Sequence, residues 1–353
     1  MSCIENFQPL ETRHLPTQLK NRNELKSALN QEFGSDLNSA SNMFILGPRG
    51  TGKTHFIRKL LEDLPHNDVA SCYVNCRQSN TQYKGLSQIL SVLTDEEIDT
   101  GHHVSSLQRQ LQNRVGIQPL LVVLDDLEFL VQNDGSDLLY FLSRLSDSVR
   151  LILTSSSPSA LKQVDGRAIS SLLPRSLELS EYSEKQAFSI LADRAEAALA
   201  SHSLHNDALQ SIVDTTRNIS IGLYWLQVAG QRRNTITTTV VEDVKPDAFR
   251  RYLDDQLQEF SVHHRLVLQA VMELLKESPG TVRTGKVYSR YKALCDVYSE
   301  DSVSQRSISD VLTELELLQF IDAEYFRGGQ HGKTRKISLS QPFTADSEPI
   351  VHS

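Results

Sequence analysis

The chain has 353 residues, 39% hydrophobic and 23% charged, the mix of a soluble globular protein long enough for two or three domains. A formal net charge of −8 excludes a surface coated in basic residues, so any nucleic-acid contact must sit in local patches. Four scattered cysteines without a Cys-x-x-Cys pair, no leader-like segment over residues 1–10 and no apolar run longer than 119–124 exclude a disulfide framework, a signal peptide and a membrane span, and point to a cytoplasmic protein with no membrane partner.

From residue 15 to 179, short apolar runs at 43–46, 70–74, 120–124, 149–153 and 177–179 alternate with helical patterns such as 55–64 and 137–145. That alternation predicts an α/β core, a parallel sheet with helices on both faces. Between the first run and the first of these helical stretches, Gly47, Pro48, Arg49, Gly50, Thr51, Gly52, Lys53 and Thr54 complete the pattern G-x-x-x-x-G-K-[ST]. Strand before and helix after are the context this phosphate loop requires. Its glycines let backbone N–H groups converge on phosphate oxygens, and the helix N-terminus adds partial positive charge. Lys53 is expected to reach the β- and γ-phosphates of ATP or ADP, and the Thr54 hydroxyl to ligate Mg²⁺. The run at 120–124 ends in Asp125 and Asp126. Asp125 is the candidate metal-side carboxylate. Asp126 stands where a water-orienting base belongs, one methylene shorter than the glutamate most such hydrolases use.

Residues 183–232 read as purely helical, with Ser183 as the cap and Gln186 three residues on completing a capping box. A Thr-rich stretch, 234–241, then leads through Pro246 to a third region. There, helical patterns at 266–275, 285–298 and 302–318 precede strands at 320–326 and 334–339, the order of a winged helix. Arg306, Ser309 and Thr313 share the polar face of the last helix, types that meet phosphates or base edges. The turn 327–336 carries Arg327, Lys333, Arg335 and Lys336 with no acid, a basic tip suited to phosphates or a minor groove. The tail after Gln341 is expected to be disordered. The domain reading is therefore 1–180 for the nucleotide-binding core, 181–246 for a helical lid, 247–341 for the winged helix and 342–353 for the tail.

Several further stretches have the order and spacing of one family. Residues 15–25, containing Arg22, resemble its adenine-side entry motif, and Tyr73-Val-Asn75-Cys76 its second-strand signature. Residues 165–172, with Arg167, resemble the segment whose arginine faces a neighbouring subunit's nucleotide. Residues 181–194 resemble its lid helix, and 284–288, 305–312 and 332–339 its winged helix. The chain thus resembles the archaeal origin-recognition and cell-division-cycle type replication initiators, AAA+ proteins, over roughly residues 14–339.

The resemblance implies double-stranded origin DNA and the replicative helicase as partners, with a homo- or hetero-oligomer formed on DNA. Two departures accompany Asp126. The polar sensor position after the fourth strand, usually Asn, falls on Ser156, and no arginine matches at 219–222, where the lid's γ-phosphate arginine belongs. Arg217 lies nearby but does not match it. Together they imply ATP binding with slow hydrolysis. A signalling-type regulatory ATPase, and a divergent paralogue acting in transcription or plasmid maintenance, remain alternatives.

Overall fold

A computed structural model describes residues 2–16, 20, 22–33, 37–64, 69–99, 101–116, 119–326 and 334–346. It falls into two compact units, Leu15–Glu181 and a second built from Met1–His14 with Tyr182–Ser353.

In the first unit, strands β1 (Met43–Leu46), β2 (Ala70–Asn75), β3 (Leu120–Asp125), β4 (Val149–Ser155) and β5 (Arg175–Glu178) form one sheet in the order β2-β3-β4-β1-β5. Every pairing is parallel, as the alternation with helices predicts. The helices are α1 (Asn23–Phe33), α2 (Lys53–Asp63), α3 (Gln82–Thr94), α4 (Val104–Arg114), α5 (Leu127–Val131), α6 (Gly135–Ser143), α7 (Ala160–Gln163) and α8 (Gly166–Leu172). Interior strand β3 is buried at every position. Its period of two divides it between two cores. Leu121 and Val123 join Ile57 and Leu60 of α2, whereas Leu120, Val122 and Leu124 join Leu86 and Ile89 of α3 and Leu138 of α6. Apolar cover on both faces makes the run read as continuously hydrophobic.

The second unit contains α9 (Glu184–Ala198), α10 (Asn206–Thr215), α11 (Ile219–Arg232), α12 (Thr238–Gln256), α13 (Val262–Glu277), α14 (Thr284–Tyr298) and α15 (Gln305–Leu317). Strands β6 (Val282–Arg283), β7 (Ile321–Phe326) and β8 (Thr334–Leu339) form an antiparallel sheet in the order β6-β8-β7. Ser183 and Gln186 form the capping box their spacing predicts. On α15, Ile308, Val311, Leu312 and Leu315 face inward, as does Leu318 just beyond it.

Three features differ from the sequence reading. Pro246, expected to lead from the lid into the third region, lies inside α12, so the expected boundary at 246/247 cuts one continuous helix. Proline leaves one i−4 carbonyl without its donor. Here that carbonyl belongs to exposed Glu242, where water can serve it. Burial of Val241, Val244, Ala248 and Phe249, with Trp225 Nε1 donating to the Val241 carbonyl at 2.8 Å, favours continuing the helix. Residues 2–14, expected with the core, instead form a strap in the second unit. Cys3 N donates to the Gly230 carbonyl, and Gln227 Nε2 to that of Leu10. The buried Arg194 guanidinium collects the carbonyls of Pro9, Glu11 and His14. Its burial lowers the pKa to about 10, which leaves it charged at neutral pH. Finally, the tail is placed as far as Asp346. Phe343 is 7% exposed, stacked on Tyr252 and edge-on to Phe249 and Phe320, so aromatic burial orders a segment expected to be loose.

Candidate nucleotide site and nucleic-acid surface

The strand order brings the carboxyl ends of β2, β3, β4 and β1 side by side, where ligands collect in open α/β sheets. The loop between β1 and α2 turns through Gly50 at φ 76° and Gly52 at φ 87°, left-handed conformations that favour glycine. A Cβ at Gly47 would come within 2.8 Å of the Leu179 carbonyl oxygen. Thr51 Oγ1 donates to the Pro48 carbonyl at 2.7 Å, and Arg22 donates to the carbonyls of Thr51 and Ser180. Lys53, 7% exposed, donates from Nζ to the carbonyls of Gly47 and Pro48. Burial lowers its pKa, opposed by Asp126, Asp125 and Glu128.

Asp125 is 4% exposed and accepts three hydroxyls: Thr54 Oγ1 at 2.8 Å and the Tyr73 hydroxyl on Oδ2, and Thr154 Oγ1 on Oδ1. Asp126 begins α5 in the left-handed region at φ 56°, its N–H donating to Thr154 Oγ1. Its carboxylate accepts from Arg77 Nε at 2.5 Å and lies 3.5 Å from Arg49. Burial acts to raise the Asp126 pKa, but Arg77, Arg49 and Lys53 overcome it and hold the carboxyl well below the usual range. Glu128, 2% exposed, accepts both the N–H and the hydroxyl of Ser156 on Oε1, and Arg49 stands 3.5 Å from the same oxygen.

The structure therefore gathers Gly47, Pro48, Arg49, Gly50, Thr51, Gly52, Lys53, Thr54, Asp125, Asp126 and Ser156 at one sheet edge. Arg167 is not among them. It is exposed on α8, with Asp165 and the Tyr140 ring as its contacts. Arg217 is exposed in the non-helical turn before α11 rather than on a helix. The sequence reading missed Arg77, Thr154 and Glu128, and the hydroxyl role of Tyr73. Their only local signal is position: each sits at or just past the end of β2, β3 or β4, and Asn75 pairs in register with Asp125.

In the winged helix, Arg306 is exposed in the first turn of α15. Arg335, expected to point at phosphates, folds back onto that helix. It donates to Thr313 Oγ1 at 2.9 Å and Ser309 Oγ at 3.4 Å, and stacks over the Tyr325 ring. Its register partner Tyr325 and the polar face of α15 together hold its guanidinium. Lys336 pairs in register with Arg283 on one side and Glu324 on the other. Arg327 and Lys333 lie outside the described residues.

Among the described residues no helix is long and apolar enough to cross a membrane. Residues 36–162 match the AAA domain family, and residues 255–345 the CDC6 C-terminal winged helix domain. The ORC1-type DNA replication protein 1 of Sulfurisphaera tokodaii is 28% identical, covering 96% of this chain and 88% of that protein. A similar protein of Thermococcus kodakarensis, an ORC1-type DNA replication protein, is 26% identical over 85% of this chain and 79% of its own. The structure of the Aeropyrum pernix Orc1 protein in complex with DNA superposes with a TM-score of 0.74 at 26% identity, covering 96% of this chain and 94% of that one. With a phosphate loop assembled on a five-stranded parallel sheet and a Cdc6-type winged helix after it, the chain belongs to the archaeal origin-recognition and Cdc6 type of AAA+ proteins.

Proposed function

We propose that this chain is a nucleotide-gated replication initiator. It binds ATP or ADP at the phosphate loop and origin DNA through the winged helix, and helps load the replicative helicase as a homo- or hetero-oligomer on DNA. The observation that carries this reading is the combination, in one chain, of an assembled phosphate-loop site with a winged helix, along 96% of a length shared with a protein solved on DNA. Mapping the protein's occupancy across its own genome tests it: clustering at replication start sites is expected, and confinement to promoters overturns it in favour of a transcriptional paralogue.

Thr54 and Asp125 are the residues that would hold Mg²⁺, which keeps several waters and needs only one or two protein oxygens. Their 2.8 Å contact gives that donor set, and Mg²⁺ when bound neutralises charge on the phosphates. Arg167 remains the residue proposed to face a neighbouring subunit's nucleotide.

Hydrolysis is proposed to be slow because Asp126 is already engaged by Arg77 and Arg49. Turnover measured by phosphate release should stay below about 1 s⁻¹, the low end of the usual enzyme range. Asp126→Glu should not raise it, since Arg77 rather than reach restrains the carboxylate. A faster variant, or brisk wild-type turnover, would contradict this.

For DNA, exposed Arg306 is the candidate base reader. Arg306→Ala should weaken discrimination between cognate and mismatched duplexes on the order of tenfold. Nonspecific affinity, and its dependence on salt, should change little. Equal weakening on every sequence, in a titration at several salt concentrations, would reassign Arg306 to phosphates.

A further inference from the structure

Resting on the nucleotide site just proposed, we infer that Arg49 is this chain's own sensor of the terminal phosphate, in place of a lid arginine. Arg77 is the counter-charge that stays on Asp126 when Arg49 engages the phosphate. Three observations converge. First, the start of α11 (219–222), where a lid cation is expected, reads Ile-Ser-Ile-Gly. Second, the phosphate loop itself delivers a guanidinium to the carboxyl ends of β3 and β4. Arg49, its side chain 8% exposed, stands 3.5 Å from both Asp126 and Glu128 with its guanidinium over the Phe129 ring. Third, both carboxylates have stronger partners. Asp126 accepts from Arg77 at 2.5 Å, and Glu128 accepts the Ser156 hydroxyl at 2.6 Å and its N–H at 3.2 Å.

The location follows from general phosphoryl chemistry. Thr54 and Asp125 would hold the Mg²⁺ that neutralises the terminal phosphates, which would bring those phosphates to the carboxyl end of β3. Asp126, the next residue, is where Arg49 reaches. A triphosphate brings charge that a diphosphate lacks, and a guanidinium fork suits phosphate oxygens, to which it can make shorter contacts than its 3.5 Å approaches to Asp126 and Glu128. When Arg49 turns to the phosphate, Arg77 still neutralises Asp126 and Ser156 still holds Glu128. Without Arg77, Asp126 would retain Arg49.

Calorimetry on the full chain with Mg²⁺, using AMP-PNP and ADP as paired probes, tests this. Arg49→Ala should weaken AMP-PNP by about 10- to 100-fold, the range of a lost charge-assisted bond, and ADP by less than about threefold. Arg49→Lys, which keeps charge but not the fork, should fall between and guards against a folding artefact. Arg77→Ala should also weaken AMP-PNP selectively, and adding Asp126→Asn in that background should restore it. A merely structural role for Arg77 would not be rescued in this way. Equal losses on both nucleotides for Arg49→Ala, or no recovery in the double variant, overturns the inference while leaving the nucleotide site standing. Wild-type protein that binds neither probe overturns the nucleotide-site reading itself.

Discussion

Lys53→Ala should lower affinity for ATP and ADP alike by about 100-fold or more. The side chain is nearly buried at the loop's mouth, with its ammonium on the Gly47 and Pro48 carbonyls. It is thus presented at the start of α2, where the backbone N–H groups of the loop converge. Each charge-assisted bond to phosphate contributes roughly 1.5–3 kcal/mol, and Lys53 is positioned to make more than one. The pattern separates it from Arg49, whose loss should spare ADP. Affinity unchanged by calorimetry, with a circular dichroism spectrum like the wild type, would remove the phosphate-loop assignment.

Phe343→Ala should destabilise the second unit by about 3 kcal/mol, at the lower end for emptying a buried aromatic site because the chain end can retreat into part of the space. Phe343 touches Phe249 of α12, Tyr252 of the same helix and Phe320 before β7, so its ring joins the long helix to the winged helix. The single tryptophan, Trp225, lies 5.3 Å from Phe249 and is fully buried, which makes its emission a reporter of this unit. For a unit of this size the fluorescence midpoint should fall by about 6–12 °C. A shift under about 2 °C would show that the segment after β8 lies against the unit without supporting it.

These two sites differ in how they could be read. The phosphate loop is legible because one contiguous motif carries both its chemistry and its flanking strand and helix. The sheet is legible for a similar reason: a strand covered on both faces, such as β3, is an unbroken apolar run. The hold of Arg77 on Asp126 is not legible, because it depends on β2 lying beside β3, a pairing between residues 49 apart in the chain. The contacts of Arg335 are illegible for a related reason. Its charge suggests solvent and phosphate, but its strand register places it against Tyr325 and two hydroxyls of α15. Pro246 and Phe343 were misjudged where tertiary burial outweighs local propensity. For Pro246 the favourable contacts come from the preceding helix, and for Phe343 from residues about 90 positions earlier.

The strap formed by residues 2–14 has a consequence for how the molecule is made. The His14 carbonyl accepts from an arginine 180 positions later, and that of Leu10 from a glutamine 217 positions later. At about 5–20 residues per second, a ribosome takes roughly 10–40 s to reach the first of those partners. By the end of that interval residues 15–181 have been made and can close around their own sheet, while Cys3 and Leu10, both buried in the finished protein, still await their partners in the second unit. Residues 2–14 are therefore among the last to find their place, and they are exposed to a nascent-chain chaperone until their partners emerge.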